Sequence, residues 1–127
     1  MTFYRRTGEL ILGTRLRRLS ERILADVSRV YREMSIPFET SWFPLFHLLH
    51  ERGSLSVTEV ARELEVTHSA VSQQLSILAD RGLILIREDP GDRRKRRILF
   101  APEGEALIAR IMPVGNALPA AIRSLFA

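Results

Sequence analysis

Two helix starts stand eleven residues apart in the middle of this chain, and directly behind them the hydrophobic period changes. Ser56-Val57-Thr58-Glu59 is a capping box, in which the serine oxygen accepts from an orphan N–H while the glutamate reaches back. It opens a short helix with Val60, Ala61 and Leu64 inward. Thr67 caps the next helix, with Ala70, Val71, Leu75 and Leu78 facing in and His68, Ser69, Ser72, Gln73 and Ser76 facing out. Arg81-Gly82 closes it. Two short helices across a tight turn, the second small and polar outside, make a helix-turn-helix pattern. Leu83 to Arg87 is then β-prone, Asp89-Pro90-Gly91-Asp92 is a turn, and Arg96 to Phe100 returns. A hairpin in that place is a wing, spanning residues 83–100. Its tip carries five consecutive cations, Arg93-Arg94-Lys95-Arg96-Arg97.

The flanks read as helices. Leu12, Leu16, Leu19, Ile23, Val27, Val30 and Met34 recur at spacings of 4, 3, 4, 4, 3 and 4, one continuous apolar stripe on a helix from Glu9 to Glu33. Arg15, Arg18, Arg22 and Arg29 fall off that stripe. A helix so long outruns the core of a small domain, so it is expected to pack partly against another chain. Ile36-Pro37 ends it. Ser41 is placed to cap a second helix with Pro44 in its first turn and Gly53 as its stop. Trp42, Leu45, Phe46, Leu48 and Leu49 give that helix a broad apolar face. A last helix runs from Glu103 to Met112, is interrupted at Pro113, and is followed by Leu118, Ala121, Ile122, Leu125 and Phe126.

The expected fold is therefore mainly α with a small β-hairpin: a winged helix-turn-helix flanked by N- and C-terminal dimerisation helices. With 127 residues, a single domain spanning 1–127 is expected. Within it, 9–34 and 103–127 are the dimerisation helices and 41–101 the winged helix-turn-helix.

Composition closes several alternatives. There is no cysteine, so disulfides, thiolate metal sites and thiol redox switches are excluded. The N-terminus lacks the apolar core of a signal peptide, and no apolar run approaches the ~20 residues of a membrane span. A soluble cytoplasmic domain with no membrane partner is expected. His47 and His50 stand three apart, the spacing of a helical metal-ligand pair, but with no matched motif around them or around Glu51. No nucleophile–histidine–acid set, glycine-rich phosphate loop or paired carboxylates accompany them. The chain is read as a non-enzyme without a cofactor.

Charge is unevenly spread. The net +4 resolves into +4 over residues 1–34, −3 over 35–81, +3 over 82–101 and zero beyond. Eighteen of the nineteen basic residues are arginine. That excess suits phosphate and base-edge contacts, and equally suits a GC-rich coding sequence. No acid lies between Val66 and Ala79, so the outer face of the second short helix is free of negative charge despite its acidic surroundings.

From Leu55 to Gly104 the sequence resembles the MarR family of winged-helix regulators. The likeness rests on Asp89-Pro90-Gly91-Asp92-Arg93-Arg94 at the wing, on Gly82-Leu83-Ile84 before it, and on Gly104 behind it. Gly91 stands where the family often has an arginine, Ala101-Pro102 replaces the usual Thr-Glu, and the C-terminal segment is shorter and more broken by Pro113 and Pro119 than usual. The segments Gly8–Leu19 and Phe38–Pro44 look like a sub-branch often followed by an acetyltransferase domain, which would make this chain the DNA-binding half of such a protein.

The resemblance implies a homodimer on double-stranded DNA, with the recognition helix in the major groove and the arginine-rich wing in the minor groove. Ser69, Ser72 and Gln73 are the expected base-side contacts, with His68 and Ser76 at the margins. Gln73 is the best base reader, because a carboxamide pairs bidentately with adenine. Arg93, Arg94, Lys95 and Arg96 are the expected wing contacts, Asp92 orienting the inserted Arg94 or, in its place, Arg93. The family's usual input is a small molecule, for which Arg15, Tyr31, Trp42, Phe46 and His47 are candidate lining, or else plain core. The alternative reading is a winged-helix interaction or regulatory module of a larger, acetyltransferase-type protein, in which a solvated helix face and cation run touch no DNA.

Overall fold

The computed structural model describes residues 2–113, with side chains from residue 8 onward. The chain divides into two compact units, Met1–Thr40 and Ser41–Ala127. Residues 114–127, and with them the expected Leu118–Phe126 segment, lie outside the described residues.

The first unit is built on helix α1, Thr2–Glu33, which starts seven residues earlier than the apolar stripe predicts and is roughly 48 Å long at 1.5 Å per residue. Its stop is more specific than the following proline. Ser35 adopts a left-handed conformation (φ 56°), Ser35 N–H donates to the Arg32 carbonyl at 3.0 Å and Ile36 N–H to the Tyr31 carbonyl at 2.8 Å. These are the two reversed bonds of a Schellman motif, which satisfy carbonyls the helix end leaves orphaned. Tyr31 and Phe38 are buried and meet edge to face at 5.4 Å. The apolar stripe is not covered along its first half: Leu12 and Leu16 are each 58% exposed and Leu19 40%.

The second unit runs α2 (Phe43–Arg52), β1 (Ser54–Ser56), α3 (Val57–Leu64), α4 (His68–Asp80), β2 (Ile84–Asp89), β3 (Asp92–Phe100) and α5 (residues 102–113). Its three strands form one antiparallel sheet in the order β1-β3-β2. This is a mainly helical winged helix-turn-helix. Strand β1 has no counterpart in the sequence reading; it pairs Leu55 with Ile98 and Ser56 with Arg97. Ser56 thus closes a strand and caps a helix at once, its Oγ accepting from Glu59 N–H at 3.1 Å. Thr67 caps α4 in the same way, accepting from Ala70 N–H at 3.0 Å. Ala70 itself is exposed rather than inward.

Helix α2 starts differently from expectation. Ser41 lies inside a 3-10 turn, Thr40–Trp42, and Trp42 takes the cap position with no side-chain cap bond. Pro44 sits in the first turn, where its missing N–H costs nothing, and Gly53 (φ 79°) ends the helix by donating to the Leu49 carbonyl at 2.8 Å. The core gathers Leu45, Phe46 and Leu49 of α2, Leu55, Val60, Val71, Leu75, Leu78, Ile84 and Ile98, with Leu107, Ile108 and Ile111 of α5. Gly104 is what lets α5 close on this core. A Cβ at that position would run into the Leu83 carbonyl oxygen, so the backbones meet at a distance only glycine allows.

Among the described residues, no helix is long and apolar enough to cross a membrane.

Candidate nucleic-acid interface

Helix α4 turns Val71, Leu75 and Leu78 into the core, so His68, Ser69, Ser72, Gln73 and Ser76 all emerge on its exposed face. The two adjacent glutamines have divided roles. Gln74 Nε2 donates to the Ser41 carbonyl at 3.1 Å and ties α4 to the start of α2. Gln73 has no hydrogen-bond partner among the described residues, and both its donors and its acceptor are presented outward. The face includes one residue the sequence reading missed. Ile77, four residues beyond Gln73, is half exposed, an apolar group beside the polar ones. Helical periodicity alone places it there.

The wing departs from the expected picture in a way that matters for contact. The turn is Pro90-Gly91, and the returning strand begins at Asp92 rather than near Arg96, so the cations lie on β3 and not at the tip. From Ile84–Phe100 to Glu88–Arg96 the two strands pair residue for residue; the next pair is Asp89–Asp92. Between those last two pairs β3 holds Arg93, Arg94 and Lys95 while β2 holds nothing. The three cations are extruded from the ladder as a bulge, and all are exposed. Arg96 stands opposite Glu88, a favourable cross-strand pair.

Two aspartates shape this end. Asp89 Oδ1 accepts from Gly91 N–H at 2.8 Å, and Asp92 Oδ1 accepts from Arg94 N–H at 3.0 Å. Asp92 therefore holds the backbone of residue 94, where the sequence reading had it orient an arginine side chain. Both are side-chain-to-backbone turns of the kind aspartate favours.

The fifth cation is apart from the others. Arg97 is the least exposed of the run, and its guanidinium donates to Glu59 Oε1 at 3.2 Å, to the Ser54 carbonyl at 3.2 Å and to Ser54 Oγ at 2.7 Å. Glu59 so engaged does not reach back as the second arm of the capping box. Its carboxylate turns to β3.

The residues suggested for an effector are not assembled by either unit. Arg15 and Tyr31 both lie on α1, sixteen residues or roughly 24 Å apart along the axis, too far to line one small-molecule pocket in one chain. Trp42 and Phe46 are fully buried and stacked at 6.2 Å, Phe46 meeting Phe100 edge to face at 5.2 Å; they are core. Arg81 lies over the Trp42 ring at 5.1 Å. His47 stacks on Phe43 and its Nε2 is 3.2 Å from Glu51 Oε1. The described residues contain no cluster of histidine and acids able to hold a metal. A half-open cavity of about 310 Å³ lies instead between Ser41, Pro44, Leu64, Val66, Ala70, Val71 and Gln74.

An outward polar helix face beside a cation-bearing hairpin, on this order of elements, defines a winged helix-turn-helix protein. Residues 36–95 match the model of the MarR family. The transcriptional regulator HosA of Escherichia coli O111:H- is 31% identical over 52 residues, which is 41% of this chain and 38% of HosA. Among solved structures, a mutant MarR from Escherichia coli complexed with operator DNA superposes with a TM-score of 0.73 at 14% identity, over 82% of this chain and 73% of that one. BpsR of Bordetella bronchiseptica, whose DNA binding is regulated by 6-hydroxynicotinic acid, gives 0.73 at 24% identity, over 86% and 76%. At these identities the structural likeness is one of fold.

Proposed function

We propose that this protein is a sequence-specific, double-stranded-DNA-binding transcriptional regulator that acts as a homodimer under small-molecule control. One observation carries the reading: a single compact unit presents an exposed, uncharged helix face and, from the adjoining hairpin, three cations bulged out of their ladder. In this account α4 enters the major groove, where Ser69, Ser72 and Gln73 meet base edges and His68 and Ser76 flank them. Gln73 pairs with adenine, and Ile77 supplies an apolar contact of the kind a thymine methyl accepts. Arg93, Arg94 and Lys95 reach phosphates and the neighbouring minor groove, with Arg96 at the edge of that contact.

Dimerisation is assigned to α1 and the segment 103–127, with 41–101 as the DNA-binding part. The exposure of Leu12, Leu16 and Leu19 in one row supports this, since a second copy of the stripe would cover them. Two-fold symmetry then calls for a near-palindromic site. The likeness to BpsR supports ligand control, and the proposed working compartment is the cytoplasm. Selection of duplexes from a random pool, followed by anisotropy titration at several salt concentrations, tests the proposal. Enrichment of a palindromic site supports it; binding of no duplex would favour the protein-interaction module.

A further inference from the structure

Arg97 belongs by sequence to the cation run and by structure to something else. It sits on β3, the central strand, with β1 on one side and β2 on the other. Its fork spans three acceptors on two elements: the Glu59 carboxylate in the first turn of α3, and the carbonyl and hydroxyl of Ser54 on β1. The contacts join residues thirty-eight and forty-three positions apart in the chain. Both members of the ion pair are about two-thirds buried, Arg97 at 27% and Glu59 at 33% side-chain exposure, so water screens the pair less than it does Arg17–Glu21 or Arg29–Asp26 on α1. The opposite residue on β2 is Arg87, and the like charges are tolerated because Arg97 is turned into its own acceptors.

We infer that Arg97 is a positioning residue: it sets the angle between the wing and the helix-turn-helix, so that the bulged cations and the α4 face meet one duplex together. The inference rests on the DNA-binding reading above. The wing joins the rest of the unit through β2, which follows α4, and through β3, whose bulge at residues 93–95 comes just before Arg97 with only Arg96 between. A contact fixed at residue 97 to the α3 start therefore sets the direction in which residues 93–95 project. Helix α3 packs directly on α4, so the same contact refers the wing to the reading helix. A guanidinium suits the task because its planar fork meets a carboxylate and a second acceptor at once, which an ammonium on a flexible stem does not.

The two roles open to Arg97, phosphate contact and strut, give opposite patterns in four proteins: wild type, Arg97→Lys, Arg97→Gln and Glu59→Gln. A strut predicts that Arg97→Lys, which keeps the charge, weakens duplex binding by about tenfold, the equivalent of one charge-assisted hydrogen bond, and that Glu59→Gln does the same. The slope of log affinity against log salt stays as in wild type for both. Hydrogen exchange in the DNA-free proteins supplies a readout that needs no DNA: amides of β2 and β3 exchange faster in Arg97→Lys and Glu59→Gln while those of α2 keep their protection. If Arg97→Lys binds like wild type, Arg97→Gln loses about one unit of salt slope and Glu59→Gln is silent, Arg97 is a phosphate contact and the inference is overturned. Unchanged wing exchange in Arg97→Lys and Glu59→Gln overturns it as well. Should the wild-type protein bind no duplex, the DNA-binding reading fails, and the exchange pattern alone decides whether Arg97 fixes the wing.

Discussion

Gln74 donates its side-chain amide to the Ser41 carbonyl at 3.1 Å, while its neighbour Gln73 faces outward with no partner among the described residues. The pair separates stability from recognition within two residues. Gln74→Ala removes one hydrogen bond that spans two elements and lowers unfolding free energy by about 1 kcal/mol, with base preference intact. Gln73→Ala leaves stability within about 0.5 kcal/mol and relaxes discrimination at one base position by about 1–3 kcal/mol. Urea unfolding and binding to single-base variants of the selected site check both. Equal losses on specific and random DNA for Gln73→Ala would remove it as a base reader.

Asp92 gives a test in which electrostatics and geometry disagree in sign. Removing an acid beside phosphates strengthens binding if charge alone matters. The Asp92 carboxylate, however, holds the Arg94 N–H at 3.0 Å and shapes the bulge. Asp92→Ala is expected to weaken duplex binding by about 1 kcal/mol, the usual scale of a lost side-chain-to-backbone turn bond, measured by anisotropy at fixed salt. Tighter binding would mean that the carboxylate only repels.

Gly104 meets the Leu83 carbonyl with no room for a methyl group. Gly104→Ala must push α5 off the strand start, at a cost of about 3 kcal/mol, the upper range for overpacking. A drop in the urea midpoint with an unchanged slope is the expected observation.

Much of this was legible because it is local. Ser56, Thr67 and Gly53 cap where their spacing says, since each cap is decided within about four residues. The second short helix presents the expected polar face because its apolar positions follow a helical period. What stayed hidden depends on contacts distant in sequence or on register. Strand β1 is three residues long and exists only because β3 pairs with it. Five cations in a row carry no pattern to say which three bulge, which one pairs with Glu88 and which one turns to Glu59. Helix α2 starts behind a 3-10 turn over Thr40–Trp42, with Trp42 and not Ser41 at the cap and no side-chain cap bond, which the residue types alone do not signal.

The row Leu12, Leu16 and Leu19 is exposed in the isolated chain and is assigned to self-association. Sedimentation at micromolar concentration is expected to give about 29 kDa, twice the 14.5 kDa chain. Leu16→Glu places a charge in the stripe and should give the monomer mass with helicity retained. A monomeric wild type would contradict the assignment.

Burial pushes the Tyr31 hydroxyl above its ordinary value of 10.0, because the phenolate loses its hydration. The folded state then holds its proton more tightly than the unfolded chain. Stability is full below pH 10.0 and falls as pH rises past it. With no cysteine, a single lysine and one other tyrosine, little else titrates there. Tyr31→Phe should flatten the alkaline limb of the urea stability profile, and a limb unchanged in that variant would place the proton elsewhere.

DNA binding in the proposed mode requires the bulged cations to reach a duplex. Affinity for the selected duplex against salt, in wild type and in the variant with Arg93, Arg94 and Lys95 all changed to alanine, tests it most directly. The expected result is a linear fall of log affinity with log salt that flattens in the variant by roughly 0.9 for each cation seated on a phosphate. Equal slopes and equal affinities in the two proteins would contradict it.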